Sequence, residues 1–270
     1  MQNISFTPAL SAVMRQTIED EVAKIEQEED VSVLFAIESG SRAWGFPSPD
    51  SDYDVRFVYV RPLDWYLSIT PGRDVIEKPI TGELDISGWD LQKALGLLIK
   101  PNPVLLEWLS SPIRYRWDDG ICALLTAFAK KTTHHASCLY HYLHLGEGQW
   151  GRHFANADAV PLKKYFYVLR PALAIRWLRL HPDVLPPMNL QALANGTDLD
   201  GATQEALNRL IELKAQTREC GNGQRFELLD QLIDGEFQWA SATDKTKDSR
   251  PLLEEANVLF RKIVREREGL

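Results

Sequence analysis

Two carboxylates one residue apart, Asp52 and Asp54, follow a Gly-Ser pair, Gly40–Ser41, within the stretch AIESGSRAWGFPSPDSDYDVRFVYV. The segment YDVRFVYV reads as a strand entered through Asp52. Alternation along it places Asp52, Asp54 and Arg56 on one face and Tyr53, Val55, Phe57 and Tyr59 on the other. Carboxylates sharing a strand face repel each other. A divalent cation offsets that repulsion, because hard Mg²⁺ prefers oxygen ligands. A third carboxylate is available in Glu83-Leu84-Asp85-Ile86-Ser87, where polar and apolar residues alternate and Asp85 points to one side. Laid beside the first strand, that segment would bring Asp85 to the same metal ions.

The elements that must position these residues are legible around them. The apolar run VSVLFAI, residues 31 to 37, reads as a buried strand, followed by a small-residue turn at Ser39, Gly40 and Ser41 and a loop rich in Pro, Ser and Asp. Residues 7 to 28 read as a helix with Thr7 as cap and Pro8 in its first turn, its apolar face formed by Met14, Ile18, Val22 and Ile25. RPLDWYLSITPGRD reads as a short helix broken at Pro71-Gly72. VIEKPI and ELDISGW read as a hairpin turning at Thr81-Gly82. DLQKALGLLIK reads as a helix capped by Asp90 and stopped before Pro101, and PNPVLLEWLSSP as a further short helix. No strand pattern of comparable strength appears beyond about residue 117, and helices are predicted at roughly 119 to 145, 160 to 181, 200 to 218, 225 to 240 and 249 to 267. The expected architecture is α/β (α+β): a small mixed-sheet catalytic domain over 1–117 followed by an all-helical domain over 118–270.

Gly-Ser, a loop, Asp-x-Asp and a later isolated Asp resemble the arrangement of the polymerase-beta-like nucleotidyltransferase superfamily. The longer string GSRAWGFPSPDSDYDVRF resembles more specifically its RNA-repair-associated, RlaP-type branch. The resemblance implies a metal-dependent enzyme that moves a nucleoside monophosphate from an NTP to an acceptor hydroxyl and releases pyrophosphate. Asp52, Asp54 and Asp85 would be the catalytic, metal-holding residues for two Mg²⁺ ions, with Mn²⁺ an alternative. Gly40 and Ser41 would meet the phosphates, with Arg42 a weaker candidate.

The resemblance returns at PLKKYFYVLRPALAIRWLRL, where helical phase gathers Lys163, Tyr167 and Arg170 into one cationic-aromatic stripe beside an apolar face of Leu162, Phe166, Leu169 and Leu173. The family shows a similar helix, which implies that these residues help hold the nucleotide. Arg176 and Arg179 point elsewhere and read as solvent or surface-pairing residues, and Pro171 is expected to kink the helix or weaken one backbone bond. His134, His141 and His144 fall near one helix face, but their spacing lacks the i,i+4 pair of a zinc site, and packed or capping roles are expected. Trp44, beside the Gly-Ser turn, is a candidate for stacking on a base.

Composition bounds the rest. The chain has 270 residues, 44% hydrophobic and 25% charged, as in ordinary globular proteins. No stretch is long and apolar enough to span a bilayer, no signal-peptide pattern opens the sequence, and Cys122, Cys138 and Cys220 have no metal-ligand spacing; a cytoplasmic protein with reduced thiols is expected. The net charge of −8 argues against a broad nucleic-acid surface but leaves room for a local basic groove. The expected partners are therefore an NTP and an acceptor hydroxyl, an RNA 3′ end being favoured by the resemblance. A protein or small-molecule hydroxyl and a non-catalytic nucleotide- or RNA-binding protein are the alternatives.

Overall fold

The structure, a computed structural model, describes residues 5–269 apart from 9, 71, 101, 133–134, 156, 158, 217–220 and 244–251. Pro71, Pro101, His134 and Cys220 therefore lie outside the described residues. In chain order the elements are α1 (Ala12–Glu29), β1 (Ser32–Glu38), α2 (Gly40–Trp44), β2 (Tyr53–Val60), α3 (Leu63–Tyr66), β3 (Val75–Glu77), β4 (Leu84–Asp90), α4 (Leu91–Ile99), α5 (Pro103–Leu109), β5 (Arg114–Trp117) and α6 (Asp119–Thr132). They continue with α7 (His135–His153), β6 (Ala159–Pro161), α8 (Leu162–Leu180), α9 (Leu190–Asn195), α10 (Gly201–Gln216), β7 (Asn222–Gln224), α11 (Glu227–Ala242) and α12 (Leu253–Glu268). The protein is a mixed α/β molecule, a small mixed sheet combined with a mostly helical part. No helix among the described residues is long and apolar enough to cross a membrane.

The chain forms two units that are interleaved in sequence. The sheet unit comprises Pro8–Ala43, Asp52–Thr133 and Ser249–Leu270; the helical unit comprises Met1–Thr7, Trp44–Ser51 and His134–Asp248. In the sheet unit the strand order is β3-β4-β2-β1-β5. β2 and β4 run parallel, and β1–β2, β1–β5 and β3–β4 are antiparallel. The hairpin of β3 and β4 turns where Gly82 takes a φ of +61°, a conformation that favours glycine. β1 has strand neighbours on both edges, and its side chains are buried on both faces along nearly its whole length. That accounts for its continuous apolar sequence, whereas the start of β2 alternates.

Helix ends in this unit follow their caps. Asp90 accepts from Gln92 N at 2.7 Å to open α4, and Asn102 accepts from Val104 N at 2.9 Å to open α5. The first helix begins later than its sequence suggests. Ser11, not Thr7, is its cap, accepting from Met14 N at 3.1 Å, and Ile18, Val22 and Ile25 are its buried face.

In the helical unit, α7, α8 and α11 supply a core that includes Leu139, Leu143, Phe166, Leu169, Leu173 and Ile233. α8 continues through Pro171 as one helix. The predicted helix 119–145 is two helices, α6 and α7, and the first of them belongs to the sheet unit. Short β6 and β7 pair antiparallel within the otherwise helical unit. Three residues each is too little for a period-2 pattern to stand out.

Candidate active site in the sheet unit

The site is built on the pairing of β2 with β4. Because the strands are parallel and in register, Asp54 lies opposite Asp85, with Val55 opposite Ile86 and Arg56 opposite Ser87. Residues side by side on neighbouring strands project to the same face. Val55 and Ile86 are buried on the other side, whereas the Asp54, Arg56 and Asp85 side chains are partly open to solvent. The Asp54 and Asp85 carboxylates converge on a single guanidinium nitrogen. Arg56 Nη2 lies 3.3 Å from Asp54 Oδ1 and donates to Asp85 Oδ2 at 2.7 Å. Its Nη1 donates to Val55 O at 2.9 Å and Asp85 O at 3.0 Å.

Gly40 stands against this pair. Its φ is +57°, and a Cβ placed on it would overlap Asp54 Oδ2, so both the backbone conformation and the approach of the carboxylate call for glycine. Ser39 N donates to Asp54 O at 2.8 Å, tying the turn to β2. Ser41 follows in the first turn of α2, half-buried. Arg42 is turned inward at 7% exposure. Its Nε donates to Asp52 O at 3.1 Å and its guanidinium sits 3.7 Å from the centre of the Tyr53 ring. Arg42 thus braces the entry into β2.

Asp52 itself precedes the strand and is exposed. Among the described residues no group of three or more His, Cys, Asp or Glu is placed to hold a metal ion. Two of the three expected carboxylates are assembled, and Asp52 is not gathered with them.

One contributor escaped the sequence analysis. Glu38, the last residue of β1, is 0% exposed. Its Oε1 accepts from Asp54 N at 2.9 Å, and its Oε2 accepts from Tyr115 OH on β5. Burial pushes the Glu38 carboxyl up to about 7, against the opposing pull of the Tyr115 and Asp54 N–H bonds and of the nearby Arg42 charge. Glu38 therefore fixes the backbone that carries Asp54. The available signal was an acidic residue closing an apolar run immediately before Ser39-Gly40.

The remaining candidates belong to the helical unit. Lys163 is exposed on α8, and Tyr167 is half-buried with its ring edge-on to Trp44 at 5.8 Å. Arg170 is 4% exposed, its Nε donating to Met188 O at 3.0 Å and its guanidinium 4.7 Å from the Trp44 ring. The stripe is therefore graded, from an exposed lysine to a buried arginine. Arg176 and Arg179 pair with Glu236 on α11 at 2.8 and 2.6 Å. The histidines are dispersed: His141 lies against the Tyr142 ring, and His144 against Tyr140.

The chain is similar to known proteins. The protein YcgL of Bacillus subtilis (strain 168), described as uncharacterized, is 40% identical over 255 residues, which cover 94% of this chain and 97% of that protein. A solved nucleotidyltransferase-like protein from Exiguobacterium sibiricum 255-15 is 11% identical, covering 92% of this chain and 80% of its own at a TM-score of 0.29, a likeness too slight to bear on this chain. A family model decides the matter, because it spans residues 14–262 and so takes in both the Gly40–Asp54 stretch and the α8 helix: the chain belongs to the RNA repair pathway DNA polymerase beta family, RlaP.

Proposed function

We propose that the protein is a nucleotidyltransferase that moves a nucleoside monophosphate from an NTP to an acceptor hydroxyl, the acceptor being an RNA 3′ end. The observation that carries this reading is the parallel register of Asp54 with Asp85, beside a glycine that admits the Asp54 carboxylate. Two carboxylates converging on one cationic point make a donor set of the chemistry a hard divalent cation takes. Asp54 and Asp85 would hold it, with Asp52 as the third ligand implied by family resemblance. When bound, Mg²⁺ or Mn²⁺ supplies charge neutralisation at the phosphates.

The chain's own groups do the rest. Gly40 lets the turn close against the Asp54 carboxylate, and Ser41 offers a hydroxyl to the phosphates. An Asp85 carboxylate oxygen accepts the acceptor hydroxyl's proton as its oxygen bonds to the α-phosphorus and the α–β phosphoanhydride bond breaks. Pyrophosphate is the leaving group. On the helical unit, exposed Lys163 and half-buried Tyr167 are the residues whose accessibility suits contact with a nucleotide, and Arg170 underpins them by fixing Trp44. The RNA acceptor rests on the family's description. A net charge of −8 confines it to a terminus rather than a long tract.

The test is incubation with each labelled NTP, Mg²⁺ and separate pools of RNA, protein and small hydroxyl compounds. Label in RNA, lost in Asp54→Asn and Asp85→Asn with folding retained, supports the reading. Label in protein or a small molecule rejects the RNA acceptor. Transfer at wild-type rate by Asp54→Asn rejects the site.

A further inference from the structure

Arg56 shares the face of the β2–β4 seam with Asp54 and Asp85. Its guanidinium lies along the β2–β4 seam, reaching both carboxylates through Nη2 and two main-chain carbonyls through Nη1. The carbonyl bonds to Val55 and Asp85 hold the group there even when a carboxylate turns away. A fixed positive charge is therefore built into the face that carries Asp54 and Asp85.

Resting on the function proposed above, we infer that Arg56 is a built-in counter-cation that couples metal binding to nucleotide binding. With no nucleotide present, its guanidinium offsets one of the two carboxylate charges and opposes a divalent cation drawn to the same oxygens. A nucleoside triphosphate brings several negative charges and phosphate oxygens that accept from Nη2 in place of the carboxylates. The carboxylates are then released to the metal, so the cation is held weakly alone and strongly with the nucleotide. The arginine acts through Asp54 and Asp85 when the site is free and contacts the phosphates when the nucleotide is bound.

The experiment measures Mn²⁺ binding to the full chain by electron paramagnetic resonance, first with Mn²⁺ alone and then with a mixture of the four α,β-methylene nucleoside triphosphates, which cannot transfer. The proteins are wild type, Asp54→Asn, Arg56→Met, Arg56→Gln, Arg56→Lys and the double variant Arg56→Met/Asp54→Asn. Removing a full positive charge at ion-pair distance is expected to tighten binding of Mn²⁺ alone by about tenfold or more. It is also expected to shrink the further tightening that nucleotide brings. Arg56→Lys, which keeps the charge, should stay close to wild type, and the double variant should lose the gain. Mn²⁺ should also raise the melting temperature of Arg56→Met more than that of wild type. A merely structural arginine would lower stability without changing Mn²⁺ affinity. Arg56→Gln serves if the methionine variant does not fold.

Equal or weaker Mn²⁺ binding in the neutral variants, with Asp54→Asn still abolishing it, overturns the inference and leaves the carboxylate site standing. Mn²⁺ binding that survives Asp54→Asn, or none in any protein even with nucleotide, overturns both.

Discussion

Replacing Glu38 by Gln should make the protein more stable at alkaline pH. Glu38 is fully buried, yet each of its oxygens has a donor, Asp54 N and Tyr115 OH. Burial is the largest influence, raising the carboxyl from 4.5 to about 7; the Asp54 charge adds to it, and the two hydrogen bonds and Arg42 act against it. Between those pH values the folded chain keeps a proton that the unfolded chain has released. The stabilising contribution is complete below pH 4.5 and is lost as pH rises through about 7. That gap corresponds to about 3 kcal/mol, at about 1.4 kcal/mol per pH unit. Glutamine preserves the acceptor for Asp54 N, offers its amide to the Tyr115 oxygen and carries no charge. Urea unfolding of both proteins, in EDTA and followed by circular dichroism, should therefore show Glu38→Gln ahead of wild type by about 3 kcal/mol at pH 8 and by about 1 kcal/mol or less at pH 5. A difference between the proteins that is the same at both pH values, or that favours wild type as pH rises, would refute the argument.

Gly40→Ala should cost at least about 2 kcal/mol in urea unfolding, because a positive φ is added to an overlap with Asp54. Glu236→Ala leaves Arg176 and Arg179 without their shared carboxylate, which is 5% exposed, and should cost about 3 kcal/mol. Arg170→Ala removes a buried donor to Met188 O and should lower stability by about 2 kcal/mol with a change in near-ultraviolet circular dichroism from Trp44. Lys163→Ala, on an exposed side chain, should leave stability within about 0.5 kcal/mol while weakening NTP binding about tenfold in equilibrium titration.

The sheet was legible wherever burial imposed a period. β1 announced itself as an apolar run, β2 and β4 by alternation, and α4 by its Asp90 cap. β5 was not marked as a strand, although Tyr115 on it holds Glu38, because its alternation of arginine with aromatic runs for only four residues. Strand phase alone grouped Asp54 and Arg56, together with Asp52, and Asp85 joins their face through the parallel pairing of β4 with β2. What phase does not reveal is that an arginine on the same face will bond to both carboxylates. Helical phase likewise grouped Arg170 with Lys163, but depth along α8 varies, and only packing against Trp44 and Met188 decides which cation is enclosed. The interleaving of the two units is beyond any local pattern, since it depends on where the segments Trp44–Ser51 and Ser249–Leu270 pack.

That segment sets an order of events during synthesis. Trp44 and Phe46 leave the ribosome early, but their partners Tyr167 and Phe166 are on α8. Phe166 is added roughly 120 residues after Phe46, which is about 6 to 24 seconds at usual rates of about 5–20 residues per second. During that interval β1, β2 and β4 can pair while the aromatic loop strung between the first two lacks its α8 partners. A nascent chain paused before α8 would display Trp44 and Phe46 to other molecules, and a chaperone that binds exposed aromatic segments would find its target there until α8 emerges.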